Sequence, residues 1–491
     1  MNSVFKQSYT LLPFNFERIG SDSVLLVNLA GEFVTLRREL FDKMISSDLD
    51  MTSEIFPILK AKHFITEKLS DSALDLLSTK YRTKKSFLVD FTVLHMFVVT
   101  VRCNQKCIYC HASSVNEENR MYDMNTDTAE KAVDICLRSP AKSIKIEFQG
   151  GEPLLNFETV RFIIDYASKK AVQCGKTIEF VLCSNLTAIT DDILKYLADN
   201  NVSLSTSLDG PAHVHDFNRC YRNGMGTYES VIRALNKAKK YLSSDKISAL
   251  MTTTKYSLNY PHEIIDEYVA QGFNSIFVRM LNPFGFAKQN MNEIGYTASE
   301  FSHFYRDLLQ YVISMNMKGY FLEEAYATLL LTRILTPFST GFVDMQFPAG
   351  TGISGVIYGH DGNVYPSDEA RMLAQVGDNN FCMGNVHSDT YRTLFHGKLI
   401  QDLVGSTCAE SLPGCSDCAF QLYCGIDPIR NYATQGDIIG HRPSSEFCFI
   451  QKETIKHLFD FILKNNREHM DVFWSWLTGR NISEIVSHNS L

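Results

Sequence analysis

The sequence predicts an α/β protein with a parallel sheet and helical crossovers, on three observations. From Phe87 onward, apolar runs of strand length alternate six times with amphipathic helical stretches. Such repeats build parallel sheets, because a parallel neighbour needs a long crossover and a helix supplies it. The cysteine, glycine and asparagine motifs fall directly after strands, where chemistry sits in folds of this kind. The composition, 45% apolar and 21% charged over 491 residues, is that of a globular protein of about three domains.

The elements follow in order. Residues 20–66 read as a small front unit. SVLLVNLAGEFVTL gives two short strands about a turn at Asn28–Gly31. RRELFDKMISSDL is helical, with Leu40, Phe41, Met44 and Ile45 on one face, and PILKAKHFI adds a second short helix and an apolar end. Ser70 to Lys85 is polar and charged and reads as a linker. The strands of the repeat are LHMFVVTV (94–101), SIKIEFQG, IEFVLCSN, VSLSTSLDG, ISALMTTT and NSIFVRMLN. Helical stretches such as TAEKAVDICLRS, FETVRFIIDYASKKA and YESVIRALNKAKKYL separate them. After about residue 340 the rhythm fails. VIYGHDGNVYP reads as a hairpin turning at Asp361–Gly362. Ile455, Leu458, Phe459 and Ile462 mark one apolar face of a C-terminal amphipathic helix that packs on the core.

The bulk numbers exclude several classes. Net charge is -8, from 47 basic and 55 acidic residues without long runs of one sign. That is no footprint for nucleic acid. The first twenty residues lack a basic region followed by a long apolar run, so no secretory signal is expected, and no stretch reaches the length of a membrane span. The expected compartment is the cytoplasm, where clustered thiols among 13 cysteines serve metals or chemistry more often than disulfides.

CNQKCIYC, residues 103–110, follows the first strand of the repeat with Cys103, Cys107 and Cys110. Three thiolates suit an iron–sulfur cluster with one open iron. Zinc is the alternative, with His111 as a fourth ligand. Gly150-Gly151-Glu152-Pro153 follows the second strand, and paired glycines let a backbone approach a ligand closely. Ser184–Asn185 ends the third strand. SLDGP, with Ser207 and Asp209, ends the fourth and leads to His215, Asp216 and Arg219. Read from the residues alone, Asp209–Gly210–Pro211 is a turn, Asp216 a helix cap and Arg219 a surface charge. Four further thiols, Cys415, Cys418, Cys424 and Cys448, suit either zinc or a cluster.

CxxxCxxC with Tyr109 before its last cysteine, followed by GGEP and SLDGP, resembles the radical S-adenosylmethionine (SAM) superfamily across most of residues 90–450. The resemblance implies a partial (β/α)6 TIM-like barrel over residues 86–325. It implies a [4Fe–4S] cluster on Cys103, Cys107 and Cys110 whose open iron binds SAM. Reductive cleavage of SAM would give a 5′-deoxyadenosyl radical that abstracts hydrogen from substrate. Gly150, Gly151, Glu152 and Pro153 would meet the SAM amino group. Ser184, Asn185, Ser207 and Arg219 would complete the SAM site. The chain departs from the pattern at Leu186, where a glycine is usual.

Cys415-x2-Cys418-x5-Cys424 with Cys448 resembles the SPASM extension of peptide-modifying radical SAM enzymes, over residues 326–450. That set implies one auxiliary [4Fe–4S] cluster. The ligands of the other auxiliary cluster are missing, with Ser367 after Tyr365-Pro366 and Pro428 in place of cysteines; Cys382 and Cys408 are spare. In sulfatase-maturing relatives the aspartate in the position of Asp368 is a catalytic base. The alternatives for Asp368 are a hairpin-end charge or an ion pair to Arg371. Residues 1–85 resemble a PqqD-like peptide-recognition unit with a linker, and residues 451–491 hold the terminal helix. LVNLAGEF, FVRMLNPFGFAK and DGNVYPSDEARM together resemble the maturases of the His-Xaa-Ser system. That resemblance implies a ribosomally made precursor peptide as substrate, a second radical SAM maturase as partner, and an electron donor such as flavodoxin or ferredoxin. The rival expectations are an anaerobic sulfatase-maturating enzyme and, from another class, a zinc-binding regulator or scaffold.

Overall fold

The computed structural model describes residues 9–67, 71–89, 91–464 and 466–488. Residues 1–8 of the segment on which the signal-peptide expectation rested, and Ser70 of the expected linker, lie outside these residues.

The main sheet of the front unit contains one strand more than its sequence pattern suggested, and Thr10–Leu11 pairs separately with Ile65–Thr66. β1 (Phe14–Ile19), β2 (Ser23–Asn28) and β3 (Phe33–Arg37) form an antiparallel sheet with β2 central. Central β2 is buried almost throughout, and the outer β1 is not, so β1 lacks the apolar run that marks a strand. The turn sits where expected. Asn28 accepts from the backbone of Ala30 (2.8 Å) and Glu32 (3.1 Å) through its side-chain oxygen, an Asx-type closure. α1 (Arg38–Ile45) and α2 (Ile55–Ala61) follow. Met44 is buried, but Ile45 is 46% exposed and does not belong to the apolar face assigned to it.

The expected linker is a helix, α3 (Asp71–Lys84). Its polar composition disguised it because it buries Leu77 and then uses charge to dock. Lys84 donates to the carbonyl of Arg333 (2.7 Å), and Lys85 pairs with Glu410 (2.9 Å) and lies over the Phe347 ring. Burial lowers the Lys84 pKa to about 8.

The repeat forms as the apolar periodicity dictates. β4 (Leu94–Thr100), β5 (Ser143–Gly150), β6 (Thr177–Cys183), β7 (Ser203–Ser207), β8 (Ile247–Thr252) and β9 (Ser275–Arg279) run parallel as consecutive neighbours. Their crossovers include α4 (Thr126–Cys136), α5 (Phe157–Cys174), α6 (Asp191–Asp199), α7 (Tyr228–Ala238) and α8 (Pro261–Ala270). Side-chain caps set several starts: Asn125 for α4, and Thr190 for α6. Asp216 accepts from the backbones of Thr227 and Tyr228, both at 2.8 Å, and so caps α7. α9 (Ala298–Met317) opens with a Thr297–Glu300 capping box and leads to a short seventh parallel strand, β10 (Glu323–Glu324), and α10 (Ala325–Leu335).

The hairpin is β11 (Gly355–Tyr358) and β12 (Asn363–Tyr365), turning at Asp361–Gly362, with Gly362 at φ +83°. It is not a separate unit. β11 pairs parallel with β4, and β12 pairs with β13 (Gly384–Asn385), so one ten-stranded sheet runs β10-β9-β8-β7-β6-β5-β4-β11-β12-β13. α11 (Asp368–Gln375) leaves the hairpin and α12 (Pro428–Gln435) follows the cysteine loop. The expected single terminal helix is three: α13 (Glu446–Leu463), α14 (Arg467–Thr478) and α15 (Ile482–His488). Ile455, Leu458, Phe459 and Ile462 are buried, and α13 packs on α9. Among the described residues no helix is long and apolar enough to cross a membrane.

Candidate active site

The loop after β4 is held from several sides. Arg102 donates to both oxygens of Asp123 (2.7 and 2.8 Å) and to the carbonyl of Leu155 (2.6 Å). Arg222 donates to the carbonyl of Cys103 (2.7 Å), and the backbones of Lys106 and Ile108 donate to Cys220 (2.8 Å) and Asn218 (2.9 Å). The two glycines after β5 press on this loop. A Cβ on Gly151 would stand 2.2 Å from the Arg102 carbonyl oxygen, and one on Gly150 would stand 2.0 Å from that of Thr100. Only glycines allow the hydrogen bond from Gly151 to Thr100 (2.9 Å) and its neighbour from Glu152 to Arg102 (2.7 Å). Arg102, Asp123 and Arg222 carry no motif, and sequence reasoning missed them.

Cys103, Cys107 and Cys110 open on one cavity of about 330 Å³. Burial raises the pKa of the Cys103 thiol, and the neighbouring Cys107, Glu152 and Cys110 add to it. Burial pushes Cys107 up to about 12 despite the pull of Arg219. Buried thiols crowded this way hold their protons until a cationic centre takes their place.

Glu152, Ser184 and Asn185 brace one another. Glu152, fully buried, accepts from the Ser184 hydroxyl (2.8 Å) and from the backbones of Asn185 (2.7 Å) and Leu154 (3.0 Å). Pro153 is buried beside it, while Gly150, Gly151, Ser184, Asn185, Ser207 and Arg219 line the cavity. Leu186 stands fully buried at φ +64°, a left-handed conformation that favours glycine.

Tyr109 and Arg219 form a second brace. The Tyr109 hydroxyl donates to Asp209 (2.7 Å) and accepts from Arg219 (2.8 Å); Arg219 also donates to the Gln105 side-chain oxygen (3.3 Å). Arg219 Nε and Gln105 Nε2 are buried without a partner among the described residues. Two orphaned donors beside three thiols fit an acceptor-bearing ligand next to a cluster. His215 is buried between the Asp209 backbone and Thr227, away from the cavity.

Asp368 also lines the cavity. It pairs with Arg371 (2.8 Å), as one sequence alternative had it, and lies 3.8 Å from His111. Ser367 caps α11 through the Ala370 backbone (3.3 Å). The spare thiols of Cys382 and Cys408 donate to carbonyls of Gly384 (3.6 Å) and Val404 (3.4 Å).

Cys415, Cys418, Cys424 and Cys448 gather elsewhere. Burial and the other three thiols push Cys424 up to about 12. Arg442 donates to the Cys415 sulfur (3.0 Å), and Ser445 caps α13 at Cys448 (3.1 Å). Asn15 on β1 donates to the carbonyls of Ser416 (2.9 Å) and Cys418 (3.3 Å), and Tyr423 donates to Gly31 (2.8 Å). None of the thirteen cysteines is in a disulfide. Among the described residues, no three His, Cys, Asp or Glu side chains converge tightly enough to hold one metal ion.

A charged part of the cavity wall was not anticipated. Arg279 ends β9, Asn282 follows it, and Asp344, Glu369, Asp427 and Arg430 come from the C-terminal third. The usable signal was position: Arg279 stands at a strand's C-terminal end, and Asp427 follows the cysteine loop and caps α12.

Residues 97–279 match the model of the radical SAM superfamily. An uncharacterized protein of Methanocaldococcus jannaschii is 32% identical over 185 residues, 38% of this chain and 61% of its own. The chain thus spans about three-fifths of that relative. A cysteine-type anaerobic sulfatase-maturating enzyme of Clostridium perfringens is 26% identical over 364 residues, covering 73% of this chain and 93% of its own. Among solved structures, native anSMEcpe with bound AdoMet and Cp18Cys peptide superposes with a TM-score of 0.63 at 20% identity, over 76% of this chain and 98% of its own. Streptococcus suis SuiB bound to precursor peptide SuiA gives 0.52 at 13% identity, over 89% and 99%. Residues 97–279 therefore have the radical SAM α/β fold, within a mostly parallel sheet. Enzymes of this superfamily use a [4Fe–4S] cluster and SAM.

Proposed function

We propose that the chain is a radical SAM maturase acting on a ribosomally made precursor peptide. The observation that carries this is the placement of Cys103, Cys107 and Cys110 on the cavity wall beside the orphaned donors of Arg219 and Gln105. In this reading the three thiolates hold the cluster. Gly150, Gly151, Ser184, Asn185 and Ser207 border SAM, and Arg219 takes its carboxylate. Bound there, cluster and SAM would supply the chemistry for removing a hydrogen atom from substrate. Glu152 and Pro153 act from behind by fixing the glycine turn. Asp368 lines the same cavity and in this reading receives a substrate proton, with Arg371 and His111 beside it.

Cys415, Cys418, Cys424 and Cys448 hold one auxiliary [4Fe–4S] cluster in this reading, with zinc as the rival. The front unit, docked on that loop, receives the peptide's leader by strand addition. Precursor peptide SuiA bound to SuiB supports a peptide substrate. The His-Xaa-Ser assignment, the second maturase, a flavodoxin-like or ferredoxin-like donor and a cytoplasmic site belong to the same proposal. Formylglycine formation is the second reading, favoured by the sulfatase-maturating relative and by Asp368 in the cavity.

Anaerobic reconstitution with iron and sulfide, then metal counting and EPR with and without SAM, tests the core. About eight irons and a cubane signal that shifts with SAM are expected. About four irons and one zinc demote the second site to structure. No iron and no response to SAM overturn the enzyme reading.

A further inference from the structure

We propose that the cavity wall formed by Arg279, Asn282, Asp344, Glu369, Asp427 and Arg430 is a subsite for a cationic side chain of the substrate peptide. This deepens the proposed function and rests on it for the word peptide.

The three carboxylates come from separate segments and meet on one cavity wall. Asp344 precedes the hairpin, Glu369 opens α11 and Asp427 caps α12. Their close partners are neutral, and the cationic one is distant. Glu369 accepts from Asn282 at 3.1 Å, and Asp427 accepts from the Arg430 backbone at 2.8 Å. Asp344 has Arg279 at 3.9 Å, beyond hydrogen-bond distance. The Asp344 side chain is 59% open, and what it opens to is the cavity.

The arginines do not satisfy this demand. Arg430 spends its donors on the Leu281 carbonyl and the Asn282 oxygen (3.3 and 3.4 Å) and lies 5.5 Å from the Phe447 ring. Arg279 lies over Phe277. Three carboxylates face two arginines, so the wall carries a surplus of negative charge. Like charges this close resist ionisation together: after burial, Glu369 is a further cause of the raised pKa of both Asp344 and Asp427, and Asp344 adds to that of Asp427. A ligand that brings positive charge relieves both. The neighbouring aromatics suit the same ligand. Phe277, Phe342 and Tyr326 line the cavity, the Phe277 ring lying 6.0 Å from that of Tyr326 and 5.9 Å from that of Phe342, and aromatic faces attract cations. A guanidinium or ammonium group is the chemistry this wall recognises; a carboxylate is repelled.

The test is calorimetry on the reconstituted full chain with Ac-Ala-X-Ala-NH2, X being Arg, Lys, Gln or Glu, at pH 7.5. The Arg and Lys peptides should bind at least tenfold more tightly than Gln, and Glu most weakly. The double variant Asp344→Asn, Glu369→Gln should bring Arg to within about twofold of Gln while leaving the Gln peptide unchanged, which also reports an intact fold. The wild-type series decides alone if that variant does not fold. Equal affinities, or a preference for Glu, overturn the subsite. SAM cleavage is measured on the same preparation. Cleavage without discrimination removes the subsite and leaves the radical reading; discrimination without cleavage does the reverse.

Discussion

The two cysteine groups differ in what they face. Cys103, Cys107 and Cys110 look into the cavity, three thiols with orphaned donors beside them. Cys415, Cys418, Cys424 and Cys448 are four, line none of that wall, and lie against the front unit through Asn15 and Tyr423. A three-thiol set leaves one coordination position for a ligand; a four-thiol set closes its site. In the proposed reading the difference separates a site that reacts from one that holds a loop or passes an electron.

Single cysteine variants break this comparison most strongly. Cys107→Ala should abolish reductive SAM cleavage and leave about four irons, because the remaining site is the four-thiol one. Cys418→Ala should also leave about four irons yet retain SAM cleavage, and it should lower the melting temperature. Loss of cleavage in both variants would erase the distinction. Iron counts and 5′-deoxyadenosine formation, read on both variants, decide it.

Gly151→Ala acts on the reactive site through the backbone alone. Its Cβ would meet backbone atoms of Arg102 and Val101 at 2.2 and 2.5 Å, and no flexible side chain stands there to yield. The loop carrying Cys103 must shift. Iron incorporation at that site should fall, with the four-thiol site unaffected. Unchanged EPR and unchanged cleavage would show that the glycines serve something other than this approach.

Arg219→Lys sharpens the account of the donors. The fork reaches Tyr109 and Gln105 at once, and a single ammonium cannot. SAM affinity should weaken by about ten- to a hundredfold, the worth of a charge-assisted hydrogen bond. Equilibrium dialysis with SAM measures it. Wild-type affinity in the lysine variant would place the carboxylate elsewhere.

Much of this was legible in the chain. The six strands of the repeat, both cysteine groups and the Asp361–Gly362 turn carry local signals: a period, a spacing, a dipeptide. What failed needed contacts distant in sequence. α3 looked like a linker because its docking depends on carbonyls near residue 333 and on Glu410. β11 looked like half of a free hairpin because its parallel partner, β4, lies some 260 positions earlier, as the pairing of Gly355 with Leu94 shows. Arg222 acts largely through backbone carbonyls, which leave no trace in residue type, and Arg102 pairs with an aspartate 21 positions away that no motif marks. The charged wall assembles from four segments, and nothing in any one of them announces the others.

That wall gives the smallest effect, and it is read in stability. Burial, and then the charge of Glu369, raise Asp427 to about 7. In the unfolded chain it returns to about 4. Between pH 4 and 7 the native state therefore binds more protons than the unfolded one, and stability falls as pH rises through that window. Asp427→Asn removes one such group while keeping an acceptor for the Arg430 backbone. Its melting temperature should exceed wild type at pH 8 and match it at pH 4.5, a gain of a few degrees at most. An equal shift at both pH values would mean that packing, and not charge, sets the difference. The wall would then be ordinary protein interior, and the contrast between the cavity and the closed cysteine site would rest on the thiols alone.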